Sequence, residues 1–167
     1  MAELVIRFDD GTIDDFSWFV IDGEATVQGA WSSAKASELA SLIAEHRLEV
    51  VLVIPQECVY ITKFELPDKS SRQILSSIEY QIEDQLGDEV ELQHFALGDT
   101  SSNPIAIAVV AKSVMESVLA LKKKHHINTS LIIPELFLCP WFGNPGDVSL
   151  IESHESLLLR FGRFQGL

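Results

Sequence analysis

The chain opens with short apolar stretches separated by turn chemistry. Residues 4–8 (Leu-Val-Ile-Arg-Phe) read as a first strand, Asp9-Asp10-Gly11-Thr12 as a turn, and residues 16–21 as a second apolar run. Asp22-Gly23 is a strong hairpin signal, so residues 25–31 are predicted to fold back as a third strand of an antiparallel meander. Ser32 and Ser33 then offer N-caps to a helix running to about His46, with Leu39, Leu42 and Ile43 on one face. Residues 50–54 (Val-Val-Leu-Val-Ile) form an unbroken apolar run of strand length, the pattern of a strand buried on both faces. Pro55-Gln56-Glu57 interrupts it, and Val59, Ile61, Phe64 and Leu66 predict another strand.

Pro67 breaks the pattern again. Ser70 and Gln73 have capping-box spacing, and Leu75, Ile78, Ile82 and Leu86 share one narrow face of a helix predicted over 71–86 and stopped by Gly87. Strands over 91–97 and 105–110 follow. Ser113 and Glu116 form a second capping box, opening a helix to about His125 that turns Val114, Val118 and Leu121 inward. Lys122-Lys123-Lys124 ends that helix, where cations suit its dipole. Residues 130–133 read as a strand, 134–142 as a short helix after Pro134, and 148–151 with 157–161 as a closing hairpin around Glu152 to Glu155. The class is therefore mixed α/β, and meander, helix and strand in this order match a ribonuclease-H-like layer. Residues 1–66 are assigned to that layer, 67–133 to an inserted or second small α/β lobe, and 134–167 to the start of the next sheet layer. No closing helix follows the last hairpin, so the chain is expected to continue as part of a longer protein.

Composition narrows the function. With 47% hydrophobic residues the chain can build a core, which excludes disorder. Twelve basic and 25 acidic residues give a net charge of −13, which argues against nucleic acid and anionic membrane surfaces and leaves a basic protein partner open. The charge is uneven: residues 67–100 carry −6 and 101–126 carry +3, and no Lys or Arg occurs from Gln73 to Ala111. Cys58 and Cys139 sit in apolar surroundings and read as buried free thiols. The N-terminus lacks the pattern of a secretory signal. The longest apolar stretch, 131–142, contains Pro134, Glu135 and Pro140 and is too short to span a membrane. A soluble, intracellular chain is expected.

Candidate chemistry is sparse. Asp9-Asp10-Gly11-Thr12 follows the first strand, where actin-like ATPases place a turn that approaches phosphates and organises a metal. The same residues are ordinary turn chemistry, and Asp14 and Asp15 bring two further carboxylates with no Lys to offset them. The second glycine-rich hairpin of such a site has no counterpart, because Glu152-Ser153-His154-Glu155-Ser156 fills the only candidate turn. His46, His94, His125, His126 and His154 show no zinc-protease spacing, and no nucleophile elbow or Walker loop occurs. No catalytic, cofactor-binding or metal residue is assigned, and no cofactor is expected. The remaining feature is acidic. Glu79 and Glu83 are i,i+4 neighbours on the predicted helix, and Asp84, Asp88, Glu89 and Glu91 follow. Like charges at that spacing and acids near a helix C-terminus both oppose the helix. A solvated face kept for solubility and a docking surface for Lys or Arg of another protein both fit.

The order of several segments resembles protein L of the bacterial type II secretion system (the GspL family). The residues are 51–59 (Val-Leu-Val-Ile-Pro-Gln-Glu-Cys-Val), Leu66-Pro67, Arg72-Gln73-Ile74-Leu75, 80–86 (Tyr-Gln-Ile-Glu-Asp-Gln-Leu) and 92–97 (Leu-Gln-His-Phe-Ala-Leu). The chain departs from the family pattern at Gln56, where Gly is usual, and over 90–94. The resemblance implies a degenerate actin-like architecture lacking its C-terminal lobe here. It also implies a cytoplasmic region at the bacterial inner membrane, followed in the whole protein by one transmembrane helix and a periplasmic domain. It implies no enzymatic activity, but a platform that anchors the secretion ATPase (protein E) through the ATPase N-terminal domain and links it to protein M and the pseudopilus machinery. A homodimer is a further expected state. Assigning the ATPase contact to Glu79, Glu83, Asp84, Asp88, Glu89 and Glu91 rests on charge. The alternative is an actin-like nucleotide-binding protein, an ATPase or a type IV pilus assembly type, using Asp9-Asp10-Gly11-Thr12.

Overall fold

A computed structural model describes residues 3–8, 15–21, 32–35, 41, 49–66, 77–124, 126–144, 146–153 and 156–166. Contacts divide the chain into two units, 1–58 with 114–138 and 59–113 with 139–167.

The first unit is built on a five-stranded sheet. Strand β1 (Glu3–Phe8) pairs antiparallel with β2 (Asp15–Ile21), and β2 pairs antiparallel with β3 (Ser32–Lys35). On its other side β1 pairs in parallel with β4 (Glu49–Ile54), and β4 in parallel with β8 (Thr129–Pro134), giving the order β3-β2-β1-β4-β8. This is the ribonuclease-H-like layer expected from the meander and the apolar run. That run is continuous because both faces of β4 are covered. Val50 and Leu52 join Leu4, Ile6 and Phe8 beneath Val118 and Leu121 of helix α2 (Lys112–Lys124), while Val51 and Val53 pack with Val5 and Phe19 on the opposite face. α2 starts one residue earlier than its capping-box signal, so Ser113 lies in the first turn.

The opening differs from expectation at Ser32 and Ser33. These residues are not helix caps but part of β3, in register with Trp18 and Ser17. A cap contributes about 1 kcal/mol, and four paired residues along the outer edge of β2 outweigh it. The expected third strand over 25–31 lies outside the described residues. Of the expected following helix only Ser41 is described, and it is helical.

The end of this sheet is closed by charge. After β8 the chain forms a 3-10 turn, Glu135–Leu138, rather than the longer helix expected over 134–142. Its first residue, Glu135, is buried. Arg7 Nε donates to Glu135 Oε1, and the Gln56 N–H donates to Glu135 Oε2 at 3.2 Å. The exposed Glu57 lies 3.7 Å from Arg7 Nη2. One carboxylate thus ties together the C-terminal ends of β1, β4 and β8.

The second unit contains two three-stranded sheets. In one, β5 (Val59–Phe64), β7 (Ile105–Ala111) and β6 (Gln93–Leu97) pair antiparallel in the order β5-β7-β6. In the other, β9 (Ser149–Ser153), β10 (Ser156–Gly162) and β11 (Gln165–Gly166) give the order β11-β10-β9, containing the hairpin expected from the sequence. Arg160 is buried in this second sheet and donates to the carbonyls of Cys139 (2.6 Å), Arg163 (2.6 Å) and Gly162 (3.2 Å). Both cysteines are free thiols. Cys139 is buried as expected and Cys58 half-buried. Burial and the neighbouring Glu57 push the Cys58 thiol up from its usual range, against the opposing pull of Arg7.

Candidate docking surface

The acidic segment is held on the β5-β7-β6 sheet by apolar anchors. Ile78 and Ile82 are buried against Ile105, Ile107 and Val109, with Phe64, Leu66, Leu86 and Phe95 packed around them. The spacing read as one long helical face therefore does point to a core. The helix itself is shorter. α1 covers only Ile78–Gln81, Ile82 leaves helical geometry at φ −108° and ψ 5°, and Glu83–Gln85 form a 3-10 turn. The expected helix to Leu86 is thus corrected to α1 plus a separate turn, and the Ser70–Gln73 capping box and Leu75 lie outside the described residues.

A tertiary contact explains the turn. The hydroxyls of Thr62 and Tyr60, both on β5, donate to Gln85 Oε1 at 3.0 and 3.4 Å. A continued α-helix would rotate that side chain to a different azimuth, so the hydrogen bonds favour the tighter turn. With Glu83 in its own turn, the i,i+4 repulsion of Glu79 and Glu83 along one continuous α-helix does not arise. Val90 is buried within a second 3-10 turn, Val90–Leu92, which leads into β6 at Gln93. Strand β6 begins there, two residues later than the sequence suggests.

All six predicted acids, Glu79, Glu83, Asp84, Asp88, Glu89 and Glu91, are exposed. They flank buried anchors at Ile78, Ile82 and Val90, so one segment presents all of them to solvent. The structure adds two features. Lys112 Nζ donates to the Glu91 carbonyl at 2.6 Å, so a cation distant in sequence lies beside a stretch that contains none. Tyr80 and Leu92, each 57% exposed, stand among the acids. Large apolar side chains next to charge are typical of protein interfaces, where aromatic residues anchor and charges form the rim. The i,i+4 interval from buried Ile78 to buried Ile82 signals that Tyr80 faces outward. Leu92 carries no such signal.

The other candidates fall elsewhere. Asp9, Asp10, Gly11 and Thr12 of the alternative nucleotide reading lie outside the described residues, as do His46, His125 and His154. His94 and His126 are exposed. Among the described residues no group of three or more His, Cys, Asp or Glu is placed to hold a metal, and no described helix is long and apolar enough to cross a membrane.

Comparison with known proteins gives a consistent result. The sequence pattern described as "Type II secretion system (T2SS), protein L" matches residues 4–167. Protein L of the type II secretion system of Dickeya chrysanthemi is 22% identical over 139 residues, covering 83% of this chain and 35% of that protein. Its counterpart in Klebsiella pneumoniae is 25% identical over 166 residues, covering 99% of this chain and 41% of that protein. The chain therefore spans well under half the length of these relatives. The fold is similar to that of the cytoplasmic domain of EpsL, an inner membrane component of the type II secretion system of Vibrio cholerae. There the TM-score is 0.78 at 19% identity, covering all of this chain and 70% of that one. A chain of the PilM-PilN type IV pilus biogenesis complex is more distant, with a TM-score of 0.57 at 13% identity, covering 99% of this chain and 59% of that one. With the family pattern matching from Leu4 to the last residue, the chain belongs to the type II secretion system protein L family.

Proposed function

We propose that this chain acts as a non-enzymatic docking platform of the secretion system. In this reading its acidic segment holds the N-terminal domain of the secretion ATPase, protein E, at the inner membrane. The whole protein links that ATPase to protein M. The observation that carries the reading is the segment from Ile78 to Leu92. Buried anchors and the Gln85 hydrogen bonds fix its backbone, and the segment carries six exposed carboxylates together with exposed Tyr80 and Leu92. A solvated face kept for solubility has no need of exposed apolar side chains between its charges. A basic partner with an apolar face is complementary to this arrangement.

The test is titration of the ATPase N-terminal domain against wild type and the Glu79→Lys, Glu83→Lys, Asp84→Lys triple variant over a range of salt concentrations. The expected result is at least a tenfold (~1.4 kcal/mol) loss of affinity and a shallower salt dependence in the variant. Equal affinity and equal salt slope would remove this surface from the account.

A further inference from the structure

The first unit carries a charged feature of opposite sign. α2 ends in Lys122, Lys123 and Lys124, and its one carboxylate, Glu116, lies in its first half. The helix dipole accounts for cations at that end, but not for what surrounds them. Lys122 Nζ donates to the Thr129 carbonyl at 3.3 Å, so this flank of α2 runs alongside the start of β8. β8 is an edge strand, paired among the described residues with β4 alone. A parallel edge strand leaves alternate N–H and C=O groups pointing outward. Edges of this kind are ordinarily blunted by charge, a bulge or a cover. β8 reads Thr-Ser-Leu-Ile-Ile-Pro: it has no charged residue of its own, its pairing with β4 is bulged between Thr129 and Leu131, and Pro134 ends it, so the open edge is short.

The two faces at this edge differ. Ile132 pairs with Leu52 and packs with the cluster under α2, whereas Leu131 pairs with Val51 on the opposite face and is 48% exposed. On the α2 side, Leu119, Lys122, Lys123, His126, Ile127 and Asn128 line an open depression of about 520 Å³. Leu119 is 49% exposed. A strand laid along β8 would send alternate side chains toward the lysines and toward Leu131.

We propose that this edge docks an extended acidic segment of a partner protein. The segment adds to the sheet beside β8, with carboxylates over Lys122 and Lys123 and apolar side chains against Leu131. A small free anion fits less well, because it would gain none of the backbone hydrogen bonds that offset the negative end of the α2 dipole. The site is independent of the acidic surface of the second unit, and its partner has the opposite charge.

The probe is a fluorescent peptide of alternating Glu and Val with the length of β8, titrated by anisotropy against the 167-residue chain. Its counterpart of alternating Lys and Val is the control. The Glu-Val peptide is expected to bind saturably and to slow hydrogen exchange at the outward amides of 129–133. Affinity should fall about tenfold in the Lys122→Glu, Lys123→Glu variant and severalfold in Leu119→Glu, which keeps both lysines. The Glu79→Lys, Glu83→Lys, Asp84→Lys variant should bind it as wild type does, so failure of the ATPase reading leaves this result intact. Absence of saturable binding, equal binding of the Lys-Val peptide, or protection confined to other strands would overturn the proposal. So would a concentration-dependent dimer lost in the Lys122→Glu, Lys123→Glu variant, because it would reassign the edge to a second copy of the chain.

Discussion

Replacing Glu135 by Ala should be among the most damaging single changes in the first unit. The Glu135 side chain is 2% exposed and its partner Arg7 11% exposed, so the mutation leaves a guanidinium largely out of water. It also removes the acceptor of the Gln56 N–H. Breaking a buried ion pair from one side costs about 3–5 kcal/mol, and an orphaned amide adds about 1–3 kcal/mol if no water reaches it. Arg7 keeps Glu57 at 3.7 Å and the Phe8 carbonyl at 3.3 Å, which offsets part of the loss. A net destabilisation of about 3–4 kcal/mol follows. In urea denaturation, with a slope of about 1–3 kcal/mol per molar, the midpoint should fall by about 1–4 M at unchanged slope. The double variant Arg7→Met, Glu135→Leu removes both charges while filling similar volume, and should recover most of the stability. Two outcomes would refute the reasoning: a loss below about 1 kcal/mol in Glu135→Ala, or a double variant as unstable as the single one.

Gln85→Ala removes the acceptor shared by Tyr60 and Thr62 on an exposed surface. Stability should drop only by about 0.5–1 kcal/mol, yet amide exchange at Gln85 and Leu86 should rise clearly and affinity for the ATPase domain should fall with it. Arg160→Met deprives three backbone carbonyls of a buried donor. We expect a loss of about 2–4 kcal/mol by thermal unfolding, with Arg160→Lys intermediate because an ammonium lacks the planar reach of guanidinium. Asp99 accepts from the Ser101 hydroxyl (2.6 Å) and N–H (2.9 Å), which holds its carboxyl below the usual range. A folded-state value below the unfolded one stabilises the ionised form. The contribution is therefore present above the ordinary carboxylate range and is lost as pH falls through the folded-state value. An NMR titration should place Asp99 below the ordinary carboxylate range, and Ser101→Ala should move it back up.

Local sequence pattern determined most strands, the burial of β4 on both faces, the closing hairpin and the location of the acidic segment. Each of these follows from hydrophobic period, turn residues or charge count within a short window. The tertiary structure decided what depends on partners far along the chain. Ser32 and Ser33 carry a local signal for a helix cap, and the open edge of β2 overrides it with a strand. The helical period of Ile78 and Ile82 is legible, but α1 ends where Gln85 meets hydroxyls more than 20 residues earlier. Charge counting found a stretch without a base, yet Lys112 folds back onto Glu91 across 21 positions. Arg7 and Glu135, 128 positions apart, meet only because parallel pairing brings the ends of β1, β4 and β8 together. Burial is a local bias that the chain carries in its own order of residues. The partner of a charge or a hydrogen bond is fixed by distance in space, which only the folded backbone sets.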